Sequence, residues 1–298
     1  MSMRLEMLQV ARLAPKLLGE SSRLVADFLR RQQNSDGGFM DRAGRSDLYY
    51  TVFGIDGLIA LQADLPIRRI EEFLRSFGDG PDLDFVHLCC LVRGRGAMAG
   101  QGPRGHRFAD LEKEIPRRLE SFRSGDGGYN PVRDSPFGTA YAAFLALGAY
   151  QDLKREPPAR MQLVQSLKLL ETNDGAWVNE RDAKVGSTNA TAAVVTLLRN
   201  LAIPVNPSVG EWLLARCHPG GGFLAAPNAP MPDLLSTATA LHALAGMQVS
   251  CERVKESCLD FIDTLWTNEG AFHGHWGDDH LDSEYTFYGL LALGHLSL

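Results

Sequence analysis

The chain has little of what marks the common enzyme and binding classes. Its five cysteines (Cys89, Cys90, Cys217, Cys251, Cys258) are an odd number without scaffold spacing, which excludes a disulfide framework and predicts reduced thiols in a cytoplasmic protein. No apolar run reaches the roughly 18 residues that a membrane span needs. Glu6, Arg12 and Lys16 interrupt any secretory core near the start. Basic residues are not in excess. The 30 Lys and Arg against 36 Asp and Glu leave a net charge of −6, which argues against nucleic acid as a partner. No stretch alternates as a strand does, and no Gly-x-Ser-x-Gly, P-loop or dinucleotide fingerprint occurs. At 298 residues and 45% hydrophobic, a globular helical chain remains.

What is there is a repeat. Asp36-Gly37-Gly38-Phe39 recurs as Asp126-Gly127-Gly128-Tyr129, Asp174-Gly175-Ala176-Trp177, Gly220-Gly221-Gly222-Phe223 and Glu269-Gly270-Ala271-Phe272. Each phrase opens a loop that ends at a threonine: Thr51, Thr139, Thr188, Thr237 and Thr286, the last four spaced evenly by 49 residues. A fixed period of a few tens of residues predicts a repeat architecture. The 88 residues from Thr51 to Thr139 leave room for a sixth, degenerate unit near Asp82–Val92.

Each unit reads as a helical hairpin. Helical spacing predicts outer helices near 20–33, 67–77, 110–123, 159–171, 207–217 and 252–266. The helix after each threonine is apolar on nearly every face, as in Ala140–Leu147 and Phe287–Leu293, and so is buried on all sides. The small residues three places after each threonine (Gly54, Ala142, Thr191, Ala240, Gly289) are expected to let neighbouring inner helices approach. Six hairpins, near 20–62, 67–98, 110–150, 159–201, 207–247 and 252–296, predict a single all-α domain over 1–298. It is an α6–α6 toroid with an extra N-terminal helix within 1–18 over one end. Closure into a ring removes the need for capping repeats. The Gly-rich loops then share one mouth, at the N-termini of the inner helices.

This repeat, Gly-Gly-aromatic followed by a small-residue helix, resembles the protein-prenyltransferase β-subunits and the squalene/terpene cyclases over about 20–296. The resemblance implies a toroid whose aromatic cavity accepts isoprenoid chains, with a helical partner chain in the transferases. It implies a zinc site at Asp233, Leu235 and Tyr285, where the transferases carry Asp, Cys and His. It places a diphosphate-binding His at Val185. The Arg/Lys run expected before the fifth inner helix is missing from 225–231, and the cyclases' Asp-x-Asp-Asp motif has no copy.

Four groups of residues are candidates for the site. The loop His273–Tyr285 is rich in His and Asp. His275, Asp279, His280 and Asp282 there suit a divalent ion, zinc or magnesium; a solvated loop with Asp282 as helix cap is the other reading. Asp47, Asp134, Asp233 and Asp282 precede the threonines and form a ring of acids, each either a proton donor or a cap. Asp282, Asp233 and Tyr285 are the expected catalytic residues. Tyr50, Phe53, Tyr141, Phe287, Tyr288 and Asp47 are the expected substrate contacts, because aromatic faces stabilise cationic centres and line apolar pockets. The basic, Gly-rich stretch Arg93–Arg107 reads as a surface loop at the end opposite the mouth. The function that follows is an isoprenoid-handling enzyme; the alternative is a non-catalytic toroid that binds a lipid or a protein partner.

Overall fold

The structure is a computed structural model that describes residues 2–101 and 114–298. Helix α1 (Met3–Ala11) and the short α2 (Pro15–Leu18) come first. Six hairpins follow: α3 (Ser22–Arg31) with α4 (Leu48–Ala60), α5 (Ile67–Ser76) with α6 (Phe85–Met98), and α7 (Ile115–Glu120) with α8 (Ala140–Asp152). The second half holds α9 (Arg160–Lys168) with α10 (Thr188–Asn200), α11 (Ser208–Leu214) with α12 (Leu234–Gly246), and α13 (Glu252–Leu265) with α14 (Ser283–Leu296). The even-numbered helices from α4 to α14 pack in sequence order, and α14 packs on α4, so the inner ring closes. This is the expected α–α toroid. The expected outer-helix residues 110–113 lie outside the described ones. No described helix is long and apolar enough to cross a membrane.

The inner helices are straps as well as core. The N–H of Ala140 donates to the carbonyl of Asn179, that of Thr188 to Ala225 and that of Leu234 to Gly274, while Ser283 Oγ donates to the Tyr50 carbonyl. The N-termini of α8, α10 and α12 are thus satisfied in part by the loop of the next unit, and α14 is tied to α4 by its Ser283 hydroxyl. Three loops also hold short antiparallel ladders that the alternation test missed, Phe39–Met40 with Ser46–Asp47, Phe223–Leu224 with Pro232–Asp233, and Trp266–Thr267 with Ala271–Phe272. Two residues per strand are too few to alternate.

The repeat register differs from the even spacing. Thr51, Thr191 and Thr237 each accept the backbone N–H of the Gly-Gly aromatic, Phe39, Trp177 and Phe223. Thr139 is instead the N-cap of α8, and Thr188 lies at the first residue of α10. The small residues also act differently from expectation. A Cβ on Gly54 would stand 2.1 Å from the Phe39 ring, and one on Gly289 would stand 2.5 Å from Phe272. Glycine makes room for the aromatic of its own unit, not for the next inner helix. Arg93 and Arg95 belong to α6 rather than to a loop, Arg93 paired with Asp56 at 2.7 Å and Arg95 fully buried; 102–107 lie outside the described residues.

Candidate functional site

Helix α1 closes one end of the ring. Met3, Met7, Leu8 and Ala11 are buried, and polar ties hold the helix to the C-terminal ends of the inner helices. Arg4 pairs with Asp152 at 3.0 Å, Glu6 takes two bonds from Arg199, and the Met3 N–H donates to Gln151. Above α1 lies a mainly apolar cavity of about 370 Å³. Tyr49, Tyr141, Asn189 and Leu235, the second residues of their helices, line its upper part. One turn down come Phe144, Ala192, Ala193, Thr239 and Tyr288; Thr196, His242 and Met7 line the lower part. Tyr49 and Tyr288 flank Phe53, with ring centroids 5.1 and 5.4 Å away.

The expected substrate contacts divide. Tyr141 and Tyr288 line the cavity. Phe53 and Phe287 are buried behind it, in contact with each other. Tyr50 lies at the mouth, where burial and the carboxylates of Asp282 and Glu284 raise its pKa. Asp47 caps α4 and pairs with His87 at 2.9 Å, and His87 also holds Asp84 at 2.8 Å. The hydrogen bond to Asp47, aided by Asp84, pushes the His87 imidazolium up to about 9. Burial acts most strongly, to raise Asp47, but His87 and the N–H groups of Tyr50 and Tyr49 together hold the carboxyl below its usual range.

The expected metal residues do not assemble, whereas the expected catalytic residues lie close together, with Asp233 and Asp282 both acting on the Tyr285 phenol. Among the described residues, no group of three His, Cys, Asp or Glu side chains could hold a metal ion. Asp282 is buried, caps α14 and accepts from Arg42 Nε at 2.9 Å; Arg42 also holds Asp278 at 3.0 Å. A carboxylate committed to a guanidinium and a helix N-terminus is not a free ligand. His280 and Asp279 are exposed, and His275 Nδ1 accepts the Gly277 N–H. With Leu235 and Tyr285 in the zinc positions that the resemblance implies, the residues present do not fit the metal. Asp233 caps α12 through Ser236, and burial raises its pKa. Tyr285 lies beneath Arg42 and against Gly274. Capping therefore accounts for Asp47, Asp233 and Asp282. Asp134 caps nothing, and Asp84 caps α6 in the degenerate unit.

The acid that sequence reasoning passed over is Glu284. It is the second residue of α14, so it has the position of Tyr49 and Tyr141 in their helices. Tyr49 Oη donates to it at 2.5 Å. Burial pushes its carboxyl up to about 7, against that hydrogen bond. A carboxyl that titrates near neutrality, joined to a phenol on the cavity wall, is equipped to give or take a proton.

The prenyltransferase alpha-alpha toroid domain is the family whose model matches, over residues 7–91 and 190–296. No curated protein matches the chain. Among solved structures, the Candida albicans protein geranylgeranyltransferase-I complexed with GGPP superposes with a TM-score of 0.67 at 13% identity, covering 92% of this chain and 90% of that one. The type II terpene cyclase MstE from Scytonema follows at 0.59 and 14%, covering 94% and 97%. The GH76A alpha-1,6-mannanase of Salegentibacter sp. HEL1_6 gives 0.62 and 11%, covering 93% and 98%. At such identities these likenesses describe the fold, which hosts unrelated chemistries.

Proposed function

The chain belongs to the prenyltransferase alpha-alpha toroid domain family, and on that premise we propose that it is an isoprenoid-handling enzyme that works without a metal. The observation that carries the reading is the apolar cavity lined by Tyr49, Tyr141, Tyr288 and Phe144 over the floor set by α1. Such a lining buries a hydrocarbon chain, at roughly 25 cal/mol for each Å² removed from water. A carbohydrate, the kind of substrate an alpha-1,6-mannanase takes, needs far more polar partners than Asn189, Thr196, Thr239 and His242 supply. The carboxylates of Asp47, Asp84, Asp282 and Glu284 stand near the mouth, with His87 and Arg42 already paired to them. A neutral isoprenoid therefore suits this mouth better than a diphosphate. Glu284, through Tyr49, is the proton donor or acceptor at the rim.

The second reading is a toroid that binds an isoprenoid or a protein partner without turning anything over. Leu235 and Tyr285, in place of two metal ligands, favour it. Calorimetry with farnesol, geranylgeranyl diphosphate and α-1,6-mannotriose separates ligand classes, and product analysis separates an enzyme from a binder. We expect farnesol to bind, mannotriose not to bind, and Tyr141→Ala to weaken farnesol binding. Failure of both isoprenoids to bind refutes the proposal. Binding without turnover of isoprenoid alcohols or epoxides leaves the non-catalytic reading.

A further inference from the structure

The inner layer is mainly leucine, valine and alanine, yet two histidines lie within it. His242 on α12 and His295 on α14 meet across the helix interface, with Nδ1 of His242 3.1 Å from Nε2 of His295. The other two ring nitrogens, Nε2 of His242 and Nδ1 of His295, are buried and have no partner. Unpaired buried nitrogens are costly and call for an explanation. The pair bridges the wall of the ring. His242 lines the lower part of the central cavity. His295 lines a separate groove beside Ser250 and Lys255. The charged groups that act on His242 are Glu6 from α1 and Arg199 from α10, and these two are bonded to each other.

A neutral imidazole pair has two tautomeric arrangements. In one, the Nδ1–H of His242 donates to Nε2 of His295, and Nε2 of His242 is an acceptor. In the other, the Nε2–H of His295 donates back, and Nε2 of His242 carries a proton and is a donor. Interchange in that direction adds a proton at Nε2 of His242, passes the bridging proton to His295 and removes one from Nδ1 of His295. Burial keeps the pair neutral, with His242 pushed down to about 4 and His295 to about 3. A residue that lines the cavity therefore carries an unpaired polar atom that can serve a hydroxyl or a carbonyl.

We propose that His242, backed by His295, is the hydrogen-bonding floor of the central cavity, and that the ligand is an isoprenoid-like hydrocarbon with one hydroxyl or carbonyl oxygen at its buried end. This rests on the reading of the cavity as an isoprenoid site. Farnesene, farnesol and farnesal share a chain and differ in the oxygen, so their affinities isolate the floor. We expect the alcohol and the aldehyde to bind at least tenfold more tightly than the hydrocarbon, and His242→Leu to erase that preference while farnesene binding persists. A measurement that needs no variant is ¹⁵N NMR of the imidazoles: farnesol should shift the His242 Nε2 resonance, and farnesene should not. Equal binding of all three, a preference that survives His242→Leu, or an unmoved Nε2 resonance overturns the histidine proposal and leaves the isoprenoid cavity standing. Binding of none overturns both.

Discussion

Gly54→Ala tests the packing logic of the repeat. Alanine is the better helix former, by about 1 kcal/mol over glycine, so on propensity alone the variant should be more stable. The structure predicts the reverse. The new methyl would meet the Phe39 ring at 2.1, 2.3 and 2.6 Å, and Phe39 cannot retreat. Its N–H is bonded to Thr51 Oγ1 at 2.9 Å, it pairs with Asp47 in the ladder, and its side chain is fully buried. Overpacking of this kind costs about 1–3 kcal/mol. A contact this short belongs at the upper end, which leaves a net loss of about 2 kcal/mol after the propensity gain. Gly148→Ala is the control. Its Cβ would find only Met3 Cε at 3.6 Å, and it should gain up to about 1 kcal/mol. Urea unfolding of the three proteins gives the comparison. Phe39→Leu in the Gly54→Ala background should recover part of the loss, because the two changes share one contact. A Gly54→Ala protein as stable as the parent would refute the reasoning.

Two pH predictions follow from the mouth. The folded pKa of His87 is raised from 6.5 to about 9, so its contribution is complete below about pH 6.5 and is lost as pH rises through about 9. Allowing for screening of a partly exposed pair, that amounts to on the order of 1–2 kcal/mol; His87→Gln should abolish the loss of urea midpoint between pH 6 and 9.5, and an unchanged loss counts against the pair. Glu284 is raised from 4.5 to about 7, so its contribution is present below about pH 4.5 and is lost as pH rises through 7. Glu284→Gln should therefore raise the melting temperature at pH 8 more than at pH 5, and equal effects at both would remove burial as the cause.

The ring was legible because its signals are local and repeated. The Gly-Gly-aromatic phrases mark five turns, and the buried helices after them have no polar face. What failed was register. The loop from aromatic to threonine is 12 residues in the first unit and 14 in the fourth and fifth. An even count of 49 therefore picked out Thr139 and Thr188, whose roles differ from that of Thr51. The same slip made Asp134 a member of the acid ring; Asp84 was hidden because its unit lacks the Gly-Gly-aromatic phrase that sets the register. The His- and Asp-rich loop misled for another reason. Composition gives the ligand types but not their commitments, and Arg42, which joins the loop from the first unit, takes up both Asp278 and Asp282.

The cavity wall follows from a rule that becomes visible once the helix starts are known. Its residues recur along three inner helices at three- and four-residue steps from the second position: Tyr141 and Phe144 on α8; Asn189, Ala192, Ala193 and Thr196 on α10; Leu235, Thr239 and His242 on α12. Such a stripe is normally found by contrast with the opposite face, but an inner helix is apolar there too, since that face packs on the outer layer. Periodicity therefore carries no signal, and helix starts misplaced by one to three residues rotate the whole stripe away from the centre by about 100° per residue. With the starts fixed by the caps Asp47, Asp84, Thr139, Ser187, Asp233 and Asp282, the second positions are Tyr49, Val86, Tyr141, Asn189, Leu235 and Glu284. One carboxyl stands among them, and one histidine stands two turns below on the same stripe of α12. The stripe residues line the cavity, whereas the recurrent phrase serves the packing of the ring.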